Sequence, residues 1–371
     1  MNPSFQRLMA ETTRLTRAGD LHAATAAIQA ALRGDTAPAG AAASGDVDVI
    51  DVEAREVAID AAAAHVRPAP TPRPAPATSA PATGAGKFIA GSFTDSNGTR
   101  DYKLYIPPAG DGGGGRALPL VVMLHGCTQN PDDFAAGTGM NEAARERGFY
   151  VLYPAQAQKA NASRCWNWFK HNHQQRGRGE PALLAGMTRE MMRRHPIDPQ
   201  RVYVAGLSAG AAMAAILGDA YPDVFAAVGV HSGLPTGSAR DVASAMAAMK
   251  VGATVAGSSS RTRPTIVFLG DHDTTVHPAN GERVVEAGVR AHTNAAGPEV
   301  ERGRSGNGRE FTRHTYRGAG DAVVAEHWTV HCAGHAWSGG NASGSYTDPK
   351  GPDATEEMLR FFLANSLRQT P

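Results

Sequence analysis

The feature that most restricts the fold of this chain is a serine turn between two glycines, GLSAG at residues 206–210. An apolar run at Arg201–Ala205 precedes the turn, and a run of small residues at Ala211–Ala220 follows it. The first run is typical of a buried strand and the second of a helix. A sharp strand-to-helix turn of this kind projects its serine hydroxyl above the sheet, and the glycines prevent side-chain clashes. The pattern therefore predicts a nucleophilic Ser208 in preference to a serine that only caps a helix.

A serine nucleophile needs a histidine base and an acidic group that orients the histidine. In hydrolases with this turn, the acid and then the histidine follow the serine along the chain. A second buried-strand pattern ends in GDHDTTVHP at residues 270–278, where Asp271 and Asp273 are both available. We favour Asp273 because the spacing GxxDxxVxP resembles the acid loop of α/β-hydrolases. Asp271 is then interpreted as a carboxylate that caps the loop.

The predicted base is His335, which lies in the glycine-rich stretch GHAWSGG at residues 334–340, after an alternating, strand-like run. Loops that are carried by rigid strands commonly position catalytic groups. His231, His277 and His331 are the alternatives among the 14 histidines of the chain. We interpret each of these three as a structural or locally bonded histidine.

Two backbone N–H groups are expected to stabilise the negative oxygen that forms when the serine attacks a carbonyl group. Ala209, directly after the nucleophile, provides the first. Cys127 is the candidate for the second, because a buried-strand pattern at Leu118–Leu124 runs into a loop in which Gly126 permits a close backbone approach. His125 in the same loop is interpreted as a histidine bonded to loop backbone.

Five motifs occur in a fixed order: LHGCTQ at 124–129, CWNWF at 165–169, RGRGE at 176–180, GLSAG at 206–210 and GHAWSGG at 334–340. Together they resemble the poly(3-hydroxybutyrate) depolymerase family of esterases over about residues 88–367. The resemblance implies a serine carboxylic-ester hydrolase that acts through an acyl-enzyme on short-chain polyhydroxyalkanoate polymer or oligomers. Feruloyl and acetylxylan esterases share much of the pattern and are the alternative. A binding module on a hydrolase fold is the alternative outside enzymes.

The same resemblance suggests roles for aromatic and cysteine residues. Trp166, Trp168 and Trp337 are expected at the rim of the active site, where flat apolar side chains contact an acyl chain or aromatic ester. Packing in the core is the alternative for Trp166. The sequence leaves open whether Cys127 and Cys165 form a disulfide; both flank the predicted site, and family members often carry both. Two reduced thiols are the alternative in a reducing compartment.

Composition excludes several classes of function. With 36 basic and 35 acidic side chains, the chain has no electrostatic signature of nucleic-acid binding. No apolar run reaches the length of a membrane span. The three cysteines match no zinc-binding spacing. We therefore expect neither a metal nor another cofactor, and the resemblance implies an ester substrate as the partner.

The chain divides at a Pro/Ala-rich stretch near residues 67–81, which is typical of an extended linker. We predict an N-terminal helical pair at 1–35, a flexible linker at 36–86 and an α/β-hydrolase catalytic domain at 87–371. Charged residues interrupt any secretory signal in the first segment, which favours a cytoplasmic location. The resemblance keeps a secreted location open. The helical pair is a candidate for docking on a protein or a polymer granule.

The remaining sequence predicts an α/β fold with a mainly parallel central sheet flanked by helices. A hairpin around Ser96–Gly98 opens the domain, with strands at Phe88–Phe93 and Asp101–Ile106. Parallel strands are predicted at Leu118–Leu124, Phe149–Tyr153, Arg201–Ala205, Ala226–Val230 and Thr265–Leu269, and helices near Asn141–Arg147, Gly186–His195, Glu282–Ala291 and Ala354–Leu367.

Overall fold

A computed structural model of the chain describes residues 84–110, 116–254, 263–290, 297–306 and 308–367. The predicted N-terminal helical pair and residues 36–83 of the predicted linker lie outside these ranges, so their expected structure and docking role stay predictions. No described helix is both long enough and apolar enough to cross a membrane.

Ten strands of the described residues form one sheet. They are β1 (Lys87–Asp95), β2 (Gly98–Ile106), β3 (Leu118–Leu124), β4 (Tyr150–Pro154), β5 (Ile197–Leu207), β6 (Ala227–His231), β7 (Thr265–Gly270), β8 (Glu299–Arg304), β9 (Glu310–Arg317) and β10 (Val323–Val330). Two short strands, β11 (Trp337–Ser338) and β12 (Thr347–Asp348), pair with each other in parallel outside this sheet.

The order of strands across the sheet is β1-β2-β4-β3-β5-β6-β7-β10-β9-β8. The central strands β4, β3, β5, β6, β7 and β10 are parallel, whereas β1, β2, β9 and β8 join them in antiparallel pairs at the two edges. The carboxyl ends of parallel strands meet at one edge of a sheet, where ligands of open α/β folds bind. The loops after β3, β5, β7 and β10 therefore begin at the same edge.

Helices cover both faces of the sheet. They are α1 (Pro131–Thr138), α2 (Met140–Arg147), α3 (Gly179–Arg194), α4 (Ala209–Ala220), α5 (Val242–Val251), α6 (Ala279–Arg290) and α7 (Ala354–Leu363). Side chains of α3, α4, α5 and α6 contribute to one hydrophobic core, and those of α1, α2 and α7 to the other. Strand β3 alternates between the two, with Leu120, Val122 and Leu124 in the first core and Val121 and Met123 in the second. A central strand buried on both faces reads as a continuous apolar run, which is why its sequence was easy to recognise.

The predicted α/β architecture is confirmed, and the prediction for β3 is confirmed in both bounds. Helix α3 begins at Gly179, earlier than the predicted Gly186. The prediction missed helices α1 and α5 and the hairpin of β8 and β9. Strand β8 has the sequence EVERGR and is almost wholly exposed, so it lacks the apolar alternation by which a half-buried strand is recognised.

Two glycines allow α4 to approach the end of β3 at backbone distance. A Cβ atom on Gly210 would lie 2.0 Å from the carbonyl oxygen of Leu124 and 2.6 Å from that of His125. A Cβ atom on Gly206 would lie 2.6 Å from the same Leu124 oxygen. These contacts involve backbone atoms, which cannot rotate away as a flexible side chain can. Both motif glycines are therefore required by packing.

We expect Gly210→Ala to destabilise the fold, because overpacking against backbone costs about 1–3 kcal/mol. Gly288→Ala in α6 is a matched control, since a Cβ atom there meets no atom within 4 Å. In a helix that change should be neutral or stabilising by up to about 1 kcal/mol. Thermal unfolding followed by circular dichroism compares the two variants, and an unchanged midpoint for Gly210→Ala would contradict the packing argument.

Candidate active site

Ser208 occupies a strained turn between β5 and α4. Its backbone angles are φ 58° and ψ −120°, a combination that residues with a side chain rarely adopt. The Ser208 N–H donates to the carbonyl oxygen of His231 at 2.9 Å, and the Ser208 carbonyl accepts from the N–H of Ala212 at 3.0 Å. These bonds hold the turn at the carboxyl edge of the sheet. Within the described residues the Ser208 hydroxyl makes no hydrogen bond.

Asp273 and His335 form a close pair at the same edge. The Asp273 Oδ2 atom lies 2.7 Å from Nδ1 of His335. The other carboxylate oxygen of Asp273 accepts hydrogen bonds from the N–H groups of Thr275 at 2.9 Å and Val276 at 2.8 Å. The carboxylate is thus fixed from both sides, and Nδ1 of His335 is occupied. Nε2 remains as the nitrogen that can act as a base.

The pKa of Asp273 lies below its usual value. Burial alone would raise this pKa, but the hydrogen bond and charge attraction from His335 outweigh burial, assisted by the N–H groups of Val276 and Thr275. Asp273 is therefore a carboxylate at neutral pH. A fixed negative charge at Nδ1 favours the imidazolium that forms when Nε2 takes a proton.

The two aspartates of the β7 loop (residues 271–278) pair with different histidines. Asp271 lies 2.8 Å from Nδ1 of His331 and accepts a hydrogen bond from the N–H of Cys332 at 2.7 Å. Nε2 of His331 is 2.9 Å from the Thr312 hydroxyl. These contacts attach the end of β10 to the β7 loop. His277, another alternative base, instead accepts a hydrogen bond from an N–H at the start of α6.

The loop after β3 (the β3 loop, residues 125–130) lies directly beside Ser208. A Cβ atom on Gly126 would be 3.7 Å from Cβ of Ser208, and the Gly126 N–H donates to Oε1 of Gln129 at 2.9 Å. Within the described residues the N–H of Cys127 has no acceptor, and neither has that of Ala209, the first residue of α4. Backbone N–H groups without an acceptor are the kind of donor that an oxyanion requires.

A disulfide joins Cys127 of the β3 loop to Cys165. Beside it, the N–H of Thr128 donates to the carbonyl oxygen of Ser163 at 2.7 Å. Of the two states that the sequence left open, this structure has the disulfide and not two reduced thiols. The disulfide and the hydrogen bond attach the β3 loop to the segment after β4.

Glu180, in the RGRGE motif, is a structural residue whose role the sequence analysis missed. Its buried carboxylate accepts hydrogen bonds from Gln156 at 2.6 Å, from the Asn167 side chain at 2.7 Å and from Arg100 at 3.1 Å. Burial would raise the pKa of Glu180, but hydrogen bonds from His173, Gln156 and Asn167 hold it below its usual value. This carboxylate anchors the segment that carries Cys165. In the sequence, the only indication of this role was that a charged residue ends a glycine-rich motif.

The three predicted substrate-binding tryptophans are buried, with exposed fractions of 0% for Trp166, 5% for Trp168 and 1% for Trp337. The indole N–H of Trp166 donates to the carbonyl oxygen of His125 at 3.1 Å, and that of Trp337 donates to the Thr355 hydroxyl at 3.1 Å. A side chain wholly covered by protein has no surface for a substrate. Trp166 therefore packs in the core, which is the alternative that the sequence left open. The rim position expected for Trp337 is wrong, whereas substrate contact by Trp168 stays a prediction.

Two buried histidines flank Ser208 and are neutral at physiological pH. Burial lowers the pKa of His231 to about 3, with a further contribution from His335. Nε2 of His231 accepts a hydrogen bond from the N–H of Ser338 at 2.9 Å, and its ring stacks on Trp337 at 5.1 Å between centroids. Burial lowers the pKa of His125 to about 4. Both rings act as scaffold for the loops around the serine.

Acid should destabilise the protein through these two histidines. Their folded pKa values are lowered from about 6.5, so the unfolded chain binds more protons between pH 6.5 and 4. Their stabilisation is complete above pH 6.5 and is lost as the pH falls, by roughly 1.4 kcal/mol per pH unit for each histidine. Urea unfolding at several pH values measures this slope. His231→Gln should lower the slope by about one proton, and an unchanged slope would contradict the assignment.

Among the described residues, no group of three or more His, Cys, Asp or Glu side chains is placed to hold a metal ion. The chemistry that this arrangement supports needs only the residues already named. A hydroxyl in a strained turn, an Asp–His pair and two unpaired N–H groups lie around one sheet edge. Together they are the components of nucleophilic acyl transfer.

Known proteins with similar sequences are named depolymerases and esterases. The chain is 35% identical over 230 residues to poly(3-hydroxyalkanoate) depolymerase C of Paucimonas lemoignei, covering 58% of this chain and 54% of the relative. It is 31% identical over 154 residues to feruloyl esterase B of Thermothelomyces thermophilus, covering 41% of this chain and 50% of the relative. The chain thus spans about half the length of these curated relatives.

The fold has solved counterparts. An acetyl xylan esterase from Aspergillus awamori superposes with a TM-score of 0.56 at 18% identity, covering 74% of this chain and 99% of that one. At this identity the match supports the α/β-hydrolase fold alone. The sequence model described as Esterase PHB depolymerase matches residues 100–310, more than half of the 371-residue chain. This span includes Cys127, Ser208 and Asp273, and the chain belongs to the PHB depolymerase esterase family.

Proposed function

We propose that this chain is a serine carboxylic-ester hydrolase that acts on short-chain polyhydroxyalkanoate, as polymer or oligomers, through an acyl-enzyme. The observation that carries the proposal is the fixed Asp273–His335 pair, 2.7 Å apart, at the sheet edge where Ser208 sits in a strained turn. Membership of an esterase family supports the same reaction class.

In the proposed reaction, Ser208 Oγ attacks the ester carbonyl carbon while Nε2 of His335 takes the hydroxyl proton. The N–H groups of Cys127 and Ala209 donate to the oxyanion of the tetrahedral intermediate. As the intermediate collapses, the bond from carbon to the alcohol oxygen breaks and His335 returns the proton to the leaving alcohol. Water then attacks the acyl-enzyme by the same route and releases the acid.

The proposal requires one movement. Neither the Ser208 hydroxyl nor Nε2 of His335 makes a hydrogen bond within the described residues, so the direct Ser–His bond is not formed here. Catalytic hydrogen bonds are often long in a ligand-free site and shorten when substrate binds. Rotation of the serine side chain about χ1, with the backbone turn fixed, is the change we propose.

The location of the protein belongs to the same proposal. The Cys127–Cys165 disulfide favours an oxidising compartment, because cytosolic thiol systems keep such pairs reduced. This disulfide stabilises the loop that supplies one proposed oxyanion donor. We therefore propose an oxidising working environment, which includes the secreted location, over the cytoplasmic one expected from the N-terminus.

The two Asp–His pairs provide a matched test of the assigned acid. Asp273→Asn should lower kcat on p-nitrophenyl acetate by about 10³–10⁴-fold, because the asparagine stabilises the wrong histidine tautomer. Asp271→Asn loses an equivalent but half-exposed partner of His331, and we expect kcat within about tenfold of the original enzyme. A larger loss of kcat for Asp271→Asn than for Asp273→Asn would show that Asp271, and not Asp273, is the acid that orients the catalytic histidine.

The substrate class is tested by a panel of poly(3-hydroxybutyrate) film, 3-hydroxybutyrate trimer, methyl ferulate and acetylated xylan. We expect the highest kcat/KM on the hydroxybutyrate trimer. The Ser208→Ala variant is the blank and should be slower by several orders of magnitude on each active substrate. Preference for methyl ferulate or acetylated xylan would transfer the assignment to the corresponding alternative.

A further inference from the structure

A polar cavity of about 490 Å³ opens beside the β3 loop. Its wall includes His125 and Gln129 of that loop and, from the segment after β4, Lys159 and Arg164. Because β4 is parallel to β3 and adjacent to it, this segment leaves the sheet at the edge where Ser208 lies. The cavity is therefore next to the proposed active site, on the side of the β3 loop away from His335.

Arg164 is a charged residue of the cavity wall to which no role has yet been assigned. Its side chain is partly buried, and within the described residues it makes no hydrogen bond or ion pair. Many of the described arginines have a carboxylate partner, as Arg100 has Glu180 and Arg176 has Asp223. Asp101 is the carboxylate in the cavity wall and does not pair with Arg164. The charges of Lys159 and Asp101 cancel, so the charge of Arg164 leaves the cavity wall with a net positive charge.

The backbone of Arg164 is held in an unusual conformation. Its φ is +54°, in the left-handed region that residues with side chains seldom occupy. The Arg164 N–H donates to the carbonyl oxygen of Asn161 at 2.8 Å, and the Asn161 side chain accepts from the N–H groups of Ser163 at 3.0 Å and Cys165 at 3.3 Å. Residues kept in such conformations cluster at functional sites, where the surroundings compensate the strain.

Arg164 is also linked covalently to Cys127, one of the two proposed oxyanion donors. Cys165, the next residue, forms the disulfide to Cys127 with a Cα–Cα distance of 4.2 Å. A Cβ atom on Gly126, the neighbour of Cys127, would lie 3.7 Å from Cβ of Ser208. With about 3.8 Å between consecutive Cα atoms, these links place the Arg164 Cα within about 17 Å of Ser208.

An oligoester of a few repeats can bridge a separation up to this limit. A 3-hydroxyacid repeat has one backbone atom more than a peptide residue, which spans about 3.5 Å when extended. At most about four repeats therefore separate a carbonyl carbon at Ser208 from the Cα atom of Arg164. In a hydroxyacid oligomer, the part that leaves as alcohol carries the free carboxyl terminus. A guanidinium binds a carboxylate through two parallel hydrogen bonds, which a neutral ester end cannot accept equally well.

We propose that Arg164 binds the terminal carboxylate of a hydroxyacid oligoester on the leaving-alcohol side of the site. The proposal rests on the proposed ester hydrolase function and adds a specificity to it. Cleavage then occurs a few repeats from the carboxyl terminus and releases short hydroxyacids. Lys159 contributes charge at the mouth of the cavity, whereas Arg164 provides the directional contact.

The test compares 3-hydroxybutyrate trimer as free acid with the same trimer as methyl ester, using the full chain. The original enzyme should have the higher kcat/KM on the acid. Arg164→Gln should lower kcat/KM on the acid by about tenfold and leave that on the methyl ester within twofold. Arg145→Gln, which removes an exposed arginine of α2, is the matched control and should change neither value. Equal losses on both trimers, or no loss on the acid, would overturn the proposal.

A binding measurement separates this proposal from the hydrolase function. Calorimetry on full-length Ser208→Ala, which cannot form an acyl-enzyme, should give about tenfold tighter binding of the acid than of the methyl ester. The added Arg164→Gln change should abolish that difference. If the original enzyme cleaves neither trimer but the binding difference is present and depends on Arg164, the hydrolase function fails and the carboxylate site stands. Equal binding of acid and ester overturns the site whatever the hydrolysis result.

Discussion

The contact between helix α4 and the end of β3 is the constraint on which the rest of the site depends. Gly206 and Gly210 bring the helix so close that no Cβ atom fits against the Leu124 carbonyl. The chain between them must therefore turn sharply, and Ser208 takes the strained φ of 58°. The same contact brings the β3 loop beside the serine. This single contact between α4 and β3 thus positions the proposed nucleophile and both proposed oxyanion donors.

The rest of the site consists of loops fixed by polar contacts. Asp273 holds His335, Asp271 holds His331, and Glu180 anchors the segment that the Cys127–Cys165 disulfide attaches to the β3 loop. The buried carboxylates of Asp273 and Glu180 are each satisfied by several donors, which is the condition under which buried charge is tolerated. Preorganised groups of this kind need little rearrangement during a reaction, which is how electrostatic catalysis gains most of its effect.

Much of the fold was predictable because the central strands are buried on both faces and the turns at their ends have characteristic glycines. The order of Ser208, Asp273 and His335 followed from the motif and the loop spacing, and their placement at one edge follows from parallel pairing. Burial was harder to predict. Trp166 and Trp337 lie in polar, glycine-rich sequence, yet distant parts of the chain cover them completely.

The partners of Glu180 and the cavity beside Arg164 could not have been predicted from neighbouring residues either. Both depend on residues far along the chain. Arg100 lies 80 positions before Glu180, and nothing in either neighbourhood indicates the other. Exposed edge strands such as β8 carry no burial pattern at all. Sequence periodicity shows which side of a helix or strand faces the core. The partners of Glu180 and the cavity at Arg164 depend instead on which helices, strands and loops pack against each other.

The central claim, an activated Ser208, is tested most directly by covalent labelling of the full chain with a fluorophosphonate at neutral pH, followed by peptide mass mapping. The account predicts one phosphonate per chain, attached to Ser208, and labelling at least a hundredfold slower in His335→Ala, since only a serine activated by a histidine base reacts quickly. Labelling at another residue, or none at Ser208 in folded protein, would contradict the account.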